Sequence, residues 1–142
     1  MKSFRLEILS PERAFYVGDA LSIRVPISDG LIGIMADHLP LTAAIEDGEL
    51  TFTKADSSET VCAVTHGILD VTGGRVRILC ESALLPGEID EEKERREAEE
   101  AAGRLREKRS AKDYMIAQLT IARALNNLKV KQHNAVKSDN NR

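Results

Sequence analysis

The sequence predicts an all-β sandwich of about ten short antiparallel strands followed by a C-terminal α-helical hairpin. Three observations carry this expectation. Up to Leu85, apolar residues alternate with polar ones in short runs, broken by turn residues roughly every 8 positions. At Pro86-Gly87 the apolar period changes from two to three or four. The charge changes character along the same chain.

The strands read in order. Phe4, Leu6 and Ile8 alternate with polar neighbours, the mark of a half-buried strand. Ser10-Pro11-Glu12-Arg13 is a turn, and Ala14–Val17 a second short strand closed by Gly18-Asp19. Leu21, Ile23 and Val25 alternate again up to Pro26. Ser28-Asp29-Gly30 is a hairpin signal before Leu31–Met35. Ala36–Pro40 is an irregular loop. Asp47-Gly48 turns into Leu50–Thr53, Ala55–Ser58 is a polar tip, and Val61–Thr65 follows. His66-Gly67 leads into Ile68–Val71, and Gly73-Gly74 turns into Val76–Leu79, the last clear strand.

The helices begin with Asp90 as N-cap, with Glu91, Glu92 and Glu94 in the first turn, where the helix dipole favours negative charge. Ala98, Ala101, Ala102 and Leu105 form a narrow apolar stripe, weakened by Gly103. Ser110, with Asp113 three residues on, fits a capping box that restarts the helix. Tyr114, Ala117, Ile121, Leu125 and Leu128 then give an amphipathic face. The expected domains are residues 1–86, a sandwich, and residues 87–142, a two-helix hairpin whose tail frays after about 132. An Ala-rich hairpin buries little area, worth a few kcal/mol at ~25 cal/mol per Å². Such a hairpin can open.

The net charge of −3 on 142 residues conceals an asymmetry. Residues 1–87 carry 7 Lys/Arg against 12 Asp/Glu, and residues 88–100 carry 3 against 8. Residues 101–142 carry 10 against 3. An acidic body and a basic end suggest different partners for the two. The 4% aromatic content and absent Trp leave no stacking platform, so nucleic acid is excluded as the partner. The 42% hydrophobic content suffices for a core. Cys62 and Cys80 make neither a disulfide framework nor a metal motif. MKSFRLEIL lacks the pattern of a signal peptide, and no apolar run reaches the ~20 residues that span a bilayer. A soluble protein is expected, associated with a membrane only indirectly.

Catalytic chemistry finds no support. His38, His66 and His133 lie in a loop, a turn and the tail, without nucleophile partners at a recognisable spacing. There is no HxxxH, CxxC, GxGxxG or GxxxxGK[ST]. The carboxylates of Glu88–Glu100 are interleaved with Lys93, Arg95 and Arg96 around all helix faces, as on a solvated helix. The basic cluster Arg104, Arg106, Lys108, Arg109 and Lys112 reads as either a solvated connector or a dock for an acidic surface.

Several motifs together resemble one family. Ser10-Pro11-Glu12-Arg13 followed by Phe15-Tyr16-x-Gly18-Asp19-Ala20 resembles the opening of the epsilon subunit of F-type ATP synthases, of bacterial type. Asp29-Gly30-Leu31-Ile32-Gly33-Ile34 and Asp37-His38-Leu39-Pro40-Leu41 are similar to that family's G-x-G-I-L-P-x-H-x-P-L stretch. Gly48-x-Leu50, Val76-x-Ile78-Leu79, Ala83, Ile89-Asp90 and Ala122-Arg123-Ala124-Leu125-Asn126-x-Leu128-x-Val130 follow in the family's order. Met35-Ala36 in place of Leu-Pro, and His66-Gly67 in place of Gly-Gly, depart from it.

The resemblance implies a non-catalytic rotor subunit of the central stalk. It would couple ion-driven rotation of the c ring to ATP synthesis, and its hairpin would inhibit ATP hydrolysis. It implies the gamma subunit, the c-subunit ring and the catalytic beta subunit as partners, with one copy per complex. The implied location is peripheral, on the cytoplasmic face of the bacterial plasma membrane. Asp29, Gly30 and Leu31 match the family's c-ring contact, and His38 the approach to gamma. Arg104, Arg106, Lys108, Arg109, Lys112 and Arg123 would face beta. The alternative is a nucleotide-sensing module of the same fold. Some members bind ATP through I/L-D-x-x-R-A plus arginines on the second helix. Here Asp90, Lys93 and Arg123 form a degenerate version, with Glu94 and Asn127 at the other motif positions. Lysine lacks the guanidinium fork and Glu94 repels phosphate, so no cofactor and no tight ATP binding are expected.

Overall fold

A computed structural model describes residues 2–107 and 110–140, with side chains up to residue 135. The chain divides into two compact units, Met1–Leu85 and Pro86–Arg142.

The first unit holds nine strands: β1 (Phe4–Leu9), β2 (Ala14–Ile27), β3 (Gly30–Met35), β4 (Leu41–Ile45), β5 (Gly48–Lys54), β6 (Glu59–Val64), β7 (Gly67–Thr72), β8 (Arg75–Cys80) and the two-residue β9 (Ala83–Leu84). They hydrogen-bond in the order β4-β7-β8-β1-β2-β5-β6-β9, with β3 on β2. The long strand β2 belongs to both layers. Its first half pairs with β1, and its second half pairs with β3 and β5. Inward residues of both layers meet in one core, including Leu6, Ile8, Ile23, Leu50, Phe52, Leu69 and Ile78.

Two sequence expectations are corrected. The strands expected at Ala14–Val17 and Leu21–Val25 are one strand. Gly18 does not turn the chain, because it pairs with Leu6 on β1 and its missing side chain leaves room for the Tyr16 ring. The Tyr16 hydroxyl donates to the Asp19 carbonyl at 2.7 Å, holding the stretch extended. The sandwich is also not wholly antiparallel, since β1 and β8 pair in parallel from Arg5↔Arg75 to Leu9↔Leu79. Parallel neighbours need a long crossover. Strands β2 to β7 supply it.

Across that pairing, Arg77 Nε donates to Glu7 Oε2 at 2.9 Å. This bond, and the charges of Arg75, Arg77 and Arg5, outweigh desolvation and hold the Glu7 carboxyl below its ordinary 4.5. A depressed carboxyl stabilises the fold above its unfolded pKa and loses that contribution as pH falls through the folded value. Acid titration of unfolding is therefore expected to show the sandwich weakening below about pH 4.5, and Glu7→Gln should flatten that limb. Cys62 and Cys80 are both buried, and burial pushes the Cys80 thiol up to about 11.

In the second unit a single 3-10 turn at Pro86–Glu88 precedes α1 (Glu91–Glu107) and α2 (Ala111–Asn140). The Asp90 carboxylate accepts the Lys93 amide at 3.2 Å, and the Ser110 hydroxyl accepts the Asp113 amide at 3.1 Å. Both helices thus start on side-chain caps. They run antiparallel: Arg123 Nη2 donates to Glu97 Oε2 at 2.5 Å, and Lys131 Nζ to the Pro86 carbonyl at 3.2 Å.

Here too the structure differs from the expected pattern. The seam buries Ile89, Glu94 and Ala101 against Ala117, Ala124, Asn127 and Val130. Tyr114 and Leu125, expected inside, are exposed, Leu125 by 57%. Small residues permit close approach of two helices, so the seam follows the alanines rather than the largest apolar side chains. The tail expected to fray after about 132 is helical through Asn140. No Gly or Pro interrupts residues 131–140, and the Asn134 side-chain Nδ2 donates to the Val130 carbonyl at 2.8 Å.

Candidate functional site

The candidate site residues of the sandwich sit at the two ends of β3. Ser28 and Asp29 form the two-residue turn from β2, closed by the Ile27↔Gly30 pair. Gly30 has φ +121°, which L side chains rarely adopt. The turn therefore needs glycine there, and it presents Leu31 63% exposed beside Asp29. At the other end Asp37 takes φ 66° and is held by Lys2 Nζ at 2.8 Å. His38 follows, its amide on the Met35 carbonyl and Nδ1 2.7 Å from the Leu39 carbonyl. Leu39 is 79% exposed. Six residues of strand separate the two ends by about 20 Å. They form two separate exposed tips rather than one pocket.

At His66-Gly67 the second position needs glycine, and the first carries an imidazole that meets Glu81. A Cβ on Gly67 would lie 1.9 Å from the Leu79 carbonyl oxygen. The His66 amide donates to Asp47 Oδ1 at 2.7 Å, and its Nε2 lies 2.9 Å from Glu81 Oε2. His66 thus ties three turns together.

On the hairpin, Arg104, Arg106 and Lys112 are exposed near the point where the helices join. Arg106 Nε reaches the Ala102 carbonyl at 3.5 Å. Lys108 and Arg109 lie outside the described residues. Arg123 stands apart from this cluster, engaged with Glu97 inside the hairpin. Asp90 is occupied as the α1 cap, and Lys93 is exposed. Two of the three degenerate nucleotide-motif residues, Asp90 and Arg123, are thus already engaged within the hairpin. Glu94 and Asn127 are buried within the seam, each with an oxygen that no donor reaches. The signal for them was spacing: Glu94 lies seven before Ala101, and Asn127 three after Ala124. Among the described residues no cluster of three His, Cys, Asp or Glu could hold a metal. No described helix is long and apolar enough to cross a membrane.

Fold and loops define a class: a β-sandwich with two exposed loop tips, followed in the chain by a helical hairpin. The chain belongs to the ATP synthase Delta/Epsilon chain family, whose β-sandwich domain matches residues 3–86. The ATP synthase epsilon chain of Caldanaerobacter subterraneus subsp. tengcongensis is 37% identical over 129 residues, 91% of this chain and 94% of that one. That of Natranaerobius thermophilus is 36% identical over 125 residues, 87% of this chain and 89% of its own. A chain in the cryo-EM structure of the Euglena gracilis mitochondrial ATP synthase (OSCP/F1/c-ring) superposes with TM-score 0.72 at 17% identity. It covers 94% of this chain and 81% of that one, a likeness of fold. Membership makes the chain a central-stalk, rotor subunit of an ATP synthase, in its peripheral F1 sector.

Proposed function

We propose that this subunit is non-catalytic and acts by docking. The sandwich binds gamma through the segment at His38 and rests on the c ring through Asp29, Gly30 and Leu31. It thereby couples ion-driven rotation to ATP synthesis. The observation that carries this reading is the pair of exposed apolar side chains, Leu31 at the start of β3 and Leu39 in the loop that follows it. Each leucine would leave water when a partner covers its loop, which favours contact there.

The domain division at residues 86/87 separates this docking body from a regulatory arm. When the hairpin opens, Arg104, Arg106, Lys112, and with them Lys108 and Arg109, meet an acidic surface of the catalytic beta subunit and impede ATP hydrolysis. Opening also breaks the Arg123–Glu97 pair and frees Arg123 for the same surface. The closed hairpin offers a nucleotide little, because Asp90 and Arg123 are already engaged. The subunit works as a monomer, one copy per complex, on the cytoplasmic face of the bacterial plasma membrane, without a cofactor. Co-purification under native conditions tests the docking: the chain should come out bound to gamma, and a preparation that never retains gamma rejects the reading.

A further inference from the structure

The seam of the hairpin contains a defect that its alanines do not explain. Glu94 is 6% exposed and Asn127 1%. Glu94 Oε2 and Asn127 Oδ1 have no hydrogen-bond partner. The register puts both residues in one layer. Arg104 and Asp113 border the same cleft, Glu97 meets Arg123, and Pro86 meets Lys131. Between the last two levels, Glu94 comes opposite Ala124 and Asn127. Ala101 and Ala117 make the layer on one side, and Ile89 and Val130 the layer on the other.

The neighbouring cations do not complete this layer. Arg123 is directed to Glu97, Lys131 to the Pro86 carbonyl, and Lys93 is exposed. Two acceptors without a donor are costly when buried, and the cost disappears when the helices part and water reaches both oxygens. Apolar side chains of similar shape would carry no such cost.

We propose that the Glu94–Asn127 layer is a release device, which keeps the closed hairpin metastable and sets how readily α2 leaves α1. A polar layer in an otherwise apolar seam also fixes register, because any slip would set the same two oxygens against alanines. The device therefore gives one closed arrangement that is uniquely paired and poorly held. This inference rests on the reading of the hairpin as an arm that opens, and specifies which residues govern the opening.

Deuterium exchange of the α2 amides in the full chain reads the opening equilibrium, because these amides bond within α2 itself and lose protection when the helix, stripped of its packing against α1, becomes marginal in water. Glu94→Gln keeps the shape, removes the charge and supplies an N–H for Asn127 Oδ1. It is expected to slow exchange at residues 117–130 about tenfold at constant pH. Glu94→Met combined with Asn127→Leu, which removes both acceptors, is expected to slow it at least as much. Slower exchange in either variant supports the device; unchanged or faster exchange in both overturns it. Hydrolysis by the assembled complex separates the two readings. Slowed exchange with hydrolysis inhibited as before leaves the release device standing and rejects the regulatory role of the arm.

Discussion

Gly67→Ala is expected to be the most damaging single substitution in the sandwich. The added Cβ would lie 1.9 Å from the Leu79 carbonyl oxygen and 2.8 Å from the Cys80 Cα. Both belong to the backbone of β8, so no flexible side chain can yield. Relief requires β7 to move off β8, and Gly67↔Cys80 is the first pair of that ladder. β8 in turn carries β1 through the parallel pairing, so the displacement reaches the first strand of the chain. Overpacking ordinarily costs 1–3 kcal/mol. A clash against fixed backbone should reach at least ~3 kcal/mol, a large fraction of a small domain's stability. Denaturant unfolding measures it, and a loss below ~1 kcal/mol would mean that the ladder shifts without strain.

Removing residues 88–142 should have the largest functional effect. The core cluster runs from Phe4 to Ala83, and Met1–Leu85 is a compact unit by itself. The truncated chain should keep its sandwich and its two contact points. ATP hydrolysis by the assembled complex is then expected to rise severalfold, with coupling largely intact, because the arm that impedes turnover is gone. Unchanged hydrolysis rejects the regulatory role. Loss of coupling would instead show that the helices help hold the stalk together.

The architecture was legible where it is local. Alternation found the strands other than β4 and the two-residue β9, Asp90 and Ser110 marked the helix starts, and Pro86-Gly87 marked the change of regime. Pairing between distant segments was not legible. Nothing in Arg5–Leu9 announces that its second neighbour is Arg75–Leu79, because parallel partners leave no turn between them. Gly18-Asp19 looked like a turn because its extended form is imposed by β1 and by the Tyr16 hydroxyl, both outside the dipeptide. The hairpin was misread for a related reason. The expected face on α2 held Ala117, which is buried, but also Tyr114 and Leu125, which are exposed, because close approach selects Ala124 and Asn127 in place of the larger side chains. Glu94 and Asn127 were visible as departures from a nucleotide motif. Their spacing to Ala101 and Ala124 puts them on the alanine face, and which residues they meet there follows only from the antiparallel register.

Leu31 and His38 offer the most direct test of the docking account. Both native thiols are buried. A single introduced cysteine is therefore the reactive one in the folded chain. In the assembled ATP synthase, Leu31→Cys is expected to cross-link to a c subunit and His38→Cys to gamma. Cross-linking of neither variant, or of both to the same subunit, would contradict a body that bridges the two with the opposite ends of β3.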